Sequence, residues 1–288
     1  MYNPSPELRA ALEAAQAAGE IIRSLYQRNV RVQTKADRSP VTEADVRAEE
    51  AIRGILSQRF PGHGFYGEET GQHDLGAESV WLVDPLDGTK SFIRDCPFFS
   101  TQIALMRGGR LVLGVSSAPA YGELAWAEEG AGAYLSAGAS LAVRSGGGAA
   151  VAGGATAVGG DATPIRETVA PIRVSATASL DAAIVSTGNL KTLARSGEGW
   201  RRFGELIPRV SRIRGYGDFV HYHLLARGSL DVVIESDVNI LDIAALTVIV
   251  REAGGTFTDL QGGPVGLGTT SVLATNGALH ETVRALLG

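Results

Sequence analysis

Trp81-Leu82-Val83-Asp84-Pro85-Leu86-Asp87-Gly88-Thr89 is the stretch that decides the fold. Three apolar residues read as a buried strand that delivers Asp84 to its end, where Pro85, lacking an N–H, stops the ladder. Asp87-Gly88 reads as a tight turn whose glycine lets backbone approach an anion, and Thr89 opens a helix. Two carboxylates are thereby fixed beside a hydroxyl. At ~4 Å they would repel by about 4 kcal/mol at an effective dielectric of about 20, so a proton or a cation must sit between them. Oxygen ligands with no His or Cys nearby favour Mg²⁺ or Mn²⁺ over zinc. The competing reading is a plain loop, because Asp-Pro and Asp-Gly are common turn dipeptides.

Upstream of this stretch, apolar residues at helical spacing (Leu8, Leu12, Ala15, Ile22, Leu25) predict a helix within 5–28. A second is predicted from Thr42 to Phe60, ended by Pro61-Gly62. Gly64 to Gly67 and Val80 to Asp84 read as short strands. Ser100 to Met106 and Leu111 to Ser117 read as a hairpin around Arg107-Gly108-Gly109-Arg110, and Leu124 to Glu128 and Gly132 to Leu135 continue the strands. This organisation is α+β for an N-terminal half, 1–144.

Residues 145–163 hold seven glycines and six alanines and read as a flexible surface insertion. In the C-terminal half, 164–288, strands (Ala183 to Ser186, Val210 to Arg214, Leu230 to Glu235) alternate with helices (Gly199 to Ile207, Asp218 to Ala226, Leu241 to Ala253). That alternation is α/β in character. Strands Thr256 to Asp259 and Ser271 to Thr275 and a helix from Leu279 to Leu287 close the chain. The two halves are expected to form a single catalytic unit, 1–288.

Further acids stand at the ends of elements. Glu68 and Glu69 follow the strand at Gly67, Asp45 lies in the first turn of the second helix, and Asp242 begins a strongly apolar one. Each also has a structural reading: Thr42 and Asp45 form a capping-box pattern, Asp242 suits a helix dipole, and Glu68 and Glu69 suit a solvated loop.

Gly67-Glu68-Glu69, the stretch 81–89, Leu241-Asp242-Ile243-Ala244-Ala245 and Glu252-Ala253-Gly254-Gly255 together resemble the inositol monophosphatase superfamily. Pro40-Val41-Thr42-Glu43-Ala44-Asp45 is similar to its P-V-T-x-A-D segment, and the likeness spans all but the glycine-alanine insertion. The resemblance implies an α/β (α+β) layered αβαβα sandwich with the site between the halves. Glu68, Asp84, Asp87, Asp242 and the carbonyl of Leu86 would be the metal ligands, for two or three Mg²⁺ ions, with Mn²⁺ as the alternative. Asp45, Thr89 and Glu68 would be the catalytic group, Thr89 orienting the attacking water. The family usually has Trp where this chain has Leu241, which removes an aromatic wall. About −4 of carboxylate charge suits such ions, and amides at Gly88 and Thr89 suit phosphate oxygens.

Arg214-Gly215-Tyr216-Gly217-Asp218-Phe219, Asp87 to Arg94, and Ala274-Thr275-Asn276-Gly277 resemble the histidinol-phosphatase branch. The substrate pocket would then comprise Asp87, Gly88, Thr89, Asp218, Glu235 and Asp242, with Asp218 on an ammonium and Glu235 on the amine or imidazole. Asp218 as a helix cap and Glu235 as a strand-end charge are the structural readings. His221 and His223, two apart, point in different directions on a helix and read as packing or surface residues. Lys90 and Arg94 read as aids to phosphate approach or as solvated side chains. The alternatives are an inositol or polyol phosphatase, then a 3′-phosphoadenosine 5′-phosphate phosphatase, and, in another class, a binding protein without turnover.

Composition narrows the field. The net charge of −5 and pI near 5.6 argue against a general nucleic-acid or membrane-surface role. No apolar run reaches spanning length, and Met1 to Pro6 lacks a signal pattern, so a cytoplasmic location is expected. The lone Cys96 excludes an intrachain disulfide and reads as a small buried hydrophobe. The expected partners are a small phosphorylated substrate and, by resemblance, a second copy in a homodimer.

Overall fold

The computed structural model describes residues 4–35, 39–137 and 168–288. The insertion at 145–163 lies outside the described residues.

Helix α1 (Pro6–Leu25) begins where the Ser5 hydroxyl accepts the Leu8 N–H at 3.0 Å and Pro6 occupies the first turn. Strands β1 (Val32–Thr34) and β2 (Pro40–Thr42) pair antiparallel and lead into α2 (Glu43–Arg59). Fully buried Ala10, Ala11, Ala14, Ala15 and Ala18 let α1 lie close against α2. Next come β3 (Gly64–Gly67), β4 (Gly71–His73), β5 (Ser79–Asp87) and the short α3 (Thr89–Ile93). A meander follows: β6 (Ser100–Arg107), β7 (Arg110–Ala118), β8 (Glu123–Glu128) and β9 (Gly132–Ala137). Then β10 (Thr168–Ile172) pairs antiparallel with β9. The first sheet thus has eight strands in the order β10-β9-β8-β7-β6-β5-β3-β4, and its edge strand comes from beyond the insertion.

The chain continues as β11 (Ile184–Thr187), α4 (Lys191–Arg195), α5 (Gly197–Leu206), β12 (Arg212–Arg214) and α6 (Asp218–Ala226). It ends with β13 (Val232–Ser236), α7 (Ile240–Glu252), β14 (Thr256–Thr258), β15 (Ser271–Thr275) and α8 (His280–Leu287). The second sheet runs β12-β11-β13-β15-β14, parallel through its first three strands and antiparallel beyond.

Five layers result. Helices α1 and α2 cover one face of the large sheet through Trp81, Val83, Ile103 and Ile52. Helices α6 and α7 fill the space between the sheets, with Val80, Leu82 and Ala104 on one side and Val233, Val272 and Ala274 on the other. Helices α5 and α8 cover the outer face of the small sheet through Phe203, Leu206 and Val283. The expected αβαβα sandwich is the observed architecture. Helix α7 is apolar all round because it is buried on every side, and ten of its residues are buried.

Pro85 does not end its strand. The ladder to β6 skips from Asp84↔Gln102 to Asp87↔Ser100, so Pro85 and Leu86 together oppose Thr101. The bulge absorbs the missing N–H, and the Pro85 carbonyl accepts the Thr101 hydroxyl at 2.8 Å. Strands β1, β2, β4 and β10 and helix α4 were not foreseen: each has at most five residues and no alternation to mark it. Cys96 is half-buried rather than buried.

Candidate active site

The bulge that breaks the ladder also brings two acids to one place. Asp84, 2% exposed, leaves the strand on the side facing α7, and Asp87 follows three residues later. Gly88 then turns with φ 89°, where a Cβ would stand 2.6 Å from the Phe98 carbonyl, so only glycine fits. Across from them, α7 opens with a capping box. The Asn239 side chain accepts the Leu241 N–H at 2.7 Å, while Asp242 accepts the Asn239 N–H at 3.0 Å. One carboxylate oxygen each from Asp84, Asp87 and Asp242 lie within 4.8 Å of one another. Asp242 thus closes the first turn of α7 and at the same time converges with Asp84 and Asp87.

Electrostatics show what this convergence costs. Burial, then the charges of Glu68, Asp87 and Asp242, pushes the Asp84 carboxyl well above its usual range. Burial, then Asp218, Asp242, Glu235 and Glu68, does the same to Asp87. Asp242 is pushed up to about 6, chiefly by burial and against the hydrogen bonds from Asn239. Buried, mutually repelling carboxylate oxygens at this spacing fit a hard divalent cation, which would satisfy all of them together.

Glu68 is drawn into the field of Asp84 and Asp242 but stands outside the tight trio, with its Oε1 accepting Lys35 Nζ at 2.9 Å. Lys35 also reaches Glu69 at 2.7 Å. The loop carrying these acids is pinned from α2. Fully buried Glu49 accepts the N–H groups of Glu69 and Thr70 at 2.8 and 2.7 Å, across Gly67, where a Cβ would come within 2.5 Å of that carboxylate.

Asp45, 1% exposed, serves two partners. Its Oδ2 accepts the Thr42 N–H and hydroxyl at 2.7 and 2.6 Å, closing the cap of α2, and its Oδ1 accepts the Thr89 hydroxyl at 2.8 Å. Burial raises the Asp45 carboxyl against these hydrogen bonds. Lys90 and Arg94 are exposed.

The far wall comes from α6 and β13. Glu235 is buried yet holds its charge. Burial would raise its carboxyl, but His221, the Tyr222 hydroxyl at 2.8 Å and the Asn189 N–H at 3.1 Å outweigh burial and hold it below the usual range. It is no ordinary strand-end charge. Asp218 stands half-buried at the first position of α6 with φ 45°, a left-handed conformation that is strained for a residue with a side chain. No side-chain cap bond closes that helix, so Asp218 does not act as its cap. Burial first and Glu235 second raise its carboxyl. His221 and His223 are both buried and point apart: His221 faces Glu235, whereas His223 lies 3.0 Å from Glu123 and 2.9 Å from Ser116.

Lys35, Glu49, Asn189, Tyr222 and Ser186, whose Oγ lies 3.3 Å from His221 Nδ1, support the site and were missed in sequence. Glu49 left a trace, an acid three residues before Ile52 and seven before Leu56 on the inward stripe of α2. Tyr222 and the two histidines likewise interrupt a short apolar helix.

The same architecture is found in solved structures. The chain superposes on the extragenic suppressor protein suhB of Bartonella henselae with a TM-score of 0.78 at 29% identity, over 98% of each chain. Sequence places it more closely: the chain belongs to the inositol monophosphatase family, whose profile matches residues 3–287. It is 39% identical to a histidinol-phosphatase of Mycobacterium tuberculosis over 280 residues, 96% of either chain. With one from Streptomyces coelicolor it shares 35%, over 98% of this chain and 96% of the relative. The protein is a phosphoric monoester hydrolase of this metal-dependent family, acting on small phosphorylated substrates. Among the described residues, no helix is long and apolar enough to cross a membrane.

Proposed function

We propose that this chain is a Mg²⁺-dependent histidinol-phosphatase, cleaving L-histidinol phosphate to L-histidinol and phosphate in histidine biosynthesis. The observation that carries the reading is the second pair of acids. Asp218 and Glu235 both sit in the field of Asp87, and Glu235 in that of Asp242 as well, and the groups that hold Glu235 are a phenol, an amide and an imidazole, not a lysine or arginine. Ions bound to the trio leave these two charges for the substrate to balance. Histidinol phosphate brings an ammonium and an imidazole, whereas a polyol phosphate brings only hydroxyls. The relatives named histidinol-phosphatase support the same substrate.

In this reading Glu68, Asp84, Asp87, Asp242 and the Leu86 carbonyl hold two or three Mg²⁺ ions, or Mn²⁺. Such ions neutralise the phosphate, acidify water and stabilise the leaving alkoxide. Thr89, its hydroxyl hydrogen directed at Asp45, offers its lone pairs to the attacking water, and Asp45 receives the proton through that hydroxyl. The Gly88 and Thr89 N–H groups receive phosphate oxygens, Asp218 binds the ammonium and Glu235 the amine or imidazole. Thr89 orients and is not itself phosphorylated. The proposal includes a cytoplasmic homodimer.

Phosphate release from histidinol phosphate, inositol 1-phosphate and 3′-phosphoadenosine 5′-phosphate at equal Mg²⁺ tests the reading. We expect kcat/KM to be highest for histidinol phosphate by at least ~10-fold, and Asp218→Ala to raise KM for that substrate by ~10-fold or more. Equal or faster turnover of inositol 1-phosphate would make this a polyol phosphatase instead.

A further inference from the structure

Glu235 is approached by a buried imidazole, His221, that takes no part in the hydrolysis itself. On α6, Asp218, His221 and Tyr222 stand at i, i+3 and i+4 and so share one helix face. Tyr222 donates its hydroxyl to Glu235 Oε2, and His221 Nε2 lies 3.2 Å from the same oxygen. His221 is fully buried, and its Nε2 has no well-aligned hydrogen-bond partner among the described residues, so this contact is close but off the ideal line. A buried imidazole nitrogen in that state is costly unless its neighbour completes the bond.

The other ring nitrogen indicates which tautomer is present. His221 Nδ1 lies 3.3 Å from Ser186 Oγ, and that same oxygen accepts the Tyr216 N–H at 3.2 Å. With a neutral imidazole the contacts close in one direction: Tyr216 N–H donates to Ser186, the Ser186 hydroxyl donates to Nδ1, and Nε2–H faces Glu235. The relay runs from the loop that leads into Asp218 to the carboxylate opposite it. Gly188 makes room for the relay's end, since a Cβ there would come within 1.9 Å of Glu235 Oε1.

We propose that His221 is a positioning residue for substrate selection. Through Ser186 it couples the Asp218 loop to Glu235 and holds the Glu235 carboxylate against the pocket, so that the site prefers a phosphate ester bearing a cation to a neutral polyol phosphate. This inference rests on the histidinol-phosphate reading. Asp218 and Glu235 form an anionic pair only while Glu235 is ionised and its Oε2 is held. His221 sets a second N–H against the oxygen that the Tyr222 hydroxyl already holds.

The test measures kcat and KM for histidinol phosphate and inositol 1-phosphate in the full-length enzyme with Mg²⁺. The variants are His221→Phe, His221→Gln, Glu235→Gln and the double variant Glu235→Gln with His221→Phe. His221→Phe is expected to raise KM for histidinol phosphate ~10-fold or more with a smaller fall in kcat, and to lower kcat/KM for inositol 1-phosphate less than ~3-fold. His221→Gln, which places an amide N–H near the Nε2 position, restores most of the preference. In the Glu235→Gln background His221→Phe adds no further loss of preference, because it acts through Glu235. An equal loss on both substrates, or a full additional loss in that background, overturns the inference. A wild-type enzyme with no preference for histidinol phosphate overturns the substrate reading instead. A wild-type preference that survives His221→Phe defeats only the role given to His221.

Discussion

Asp45 and Asp242 each close the first turn of a helix and at the same time face the site, so each carboxylate's position is set by backbone hydrogen bonds as well as by side-chain packing. Asp45 shows how this serves chemistry. Two donors from Thr42 hold one oxygen, leaving the other for Thr89 alone. Thr89→Val deletes the hydroxyl while keeping the shape of the side chain. We expect kcat to fall by ~10²-fold or more with little change in KM, whereas Thr89→Ser stays within ~10-fold of wild type. A Thr89→Val enzyme with near-normal kcat would remove this hydroxyl from the mechanism. Glu68, Asp84 and Asp87 were legible as candidates at this scale because each stands beside Gly or Pro, and Asp45 because Thr42 three residues earlier marks a cap; these are residues whose backbone or capping preferences are local. His221, Tyr222 and Ser186 were not, because a buried hydrogen-bond relay between β11, α6 and β13 depends on tertiary packing that no local preference encodes.

Among the elements, α7 matters most for the site, since it carries Asp242 and packs against the large sheet through backbone contact. A Cβ on Gly114 of β7 would lie 2.3 Å from the Ala245 carbonyl and 2.8 Å from its Cα. Gly114→Ala should therefore push α7 off the sheet, costing about 1–3 kcal/mol by overpacking. The same displacement moves Asp242 away from Asp84 and Asp87, so thermal unfolding should show a lower Tm and calorimetry a weaker affinity for Mg²⁺. Gly54→Ala, on the exposed side of α2 where a Cβ meets nothing within 4 Å, is the control and should be neutral or slightly stabilising. Equal Mg²⁺ affinity in both variants would separate the packing of α7 from the site. The long elements, α1, α2, the β6–β7 hairpin and α7, were readable from periodicity and turn residues. The bulge at Pro85-Leu86 was not, because proline in a strand signals an end and a bulge alike, and only pairing with β6 decides between them.

Across the whole molecule the site is a repulsion that folding imposes. Glu68, Asp84 and Asp87 come from the large sheet and its loops, Asp242 from α7 between the sheets, and Asp218 and Glu235 from α6 and β13. Asp84, Asp87 and Asp242 are all raised above the ordinary carboxylate value, so between that value and the raised one the unfolded chain has fewer bound protons than the folded one. Without divalent ions, stability should therefore fall as pH rises from about 4 through about 6, the value to which Asp242 is pushed. Glu235, held below its usual range, contributes with the opposite sign, but its window lies at lower pH. Mg²⁺ binds the ionised cluster of the folded chain and so should stabilise by about 2.7 kcal/mol at a hundredfold excess over Kd. Thermal unfolding in chelator and in Mg²⁺ at pH 5 and pH 8 should give a larger Mg²⁺-dependent rise in Tm at pH 8. Asp84→Asn should raise the Tm of the metal-free protein at pH 8 while shrinking the Mg²⁺ increment, because it relieves repulsion and removes a ligand in one step. A metal-free protein as stable at pH 8 as at pH 5, with an Mg²⁺ increment that ignores pH, would mean that these acids do not share a charge problem that a cation solves.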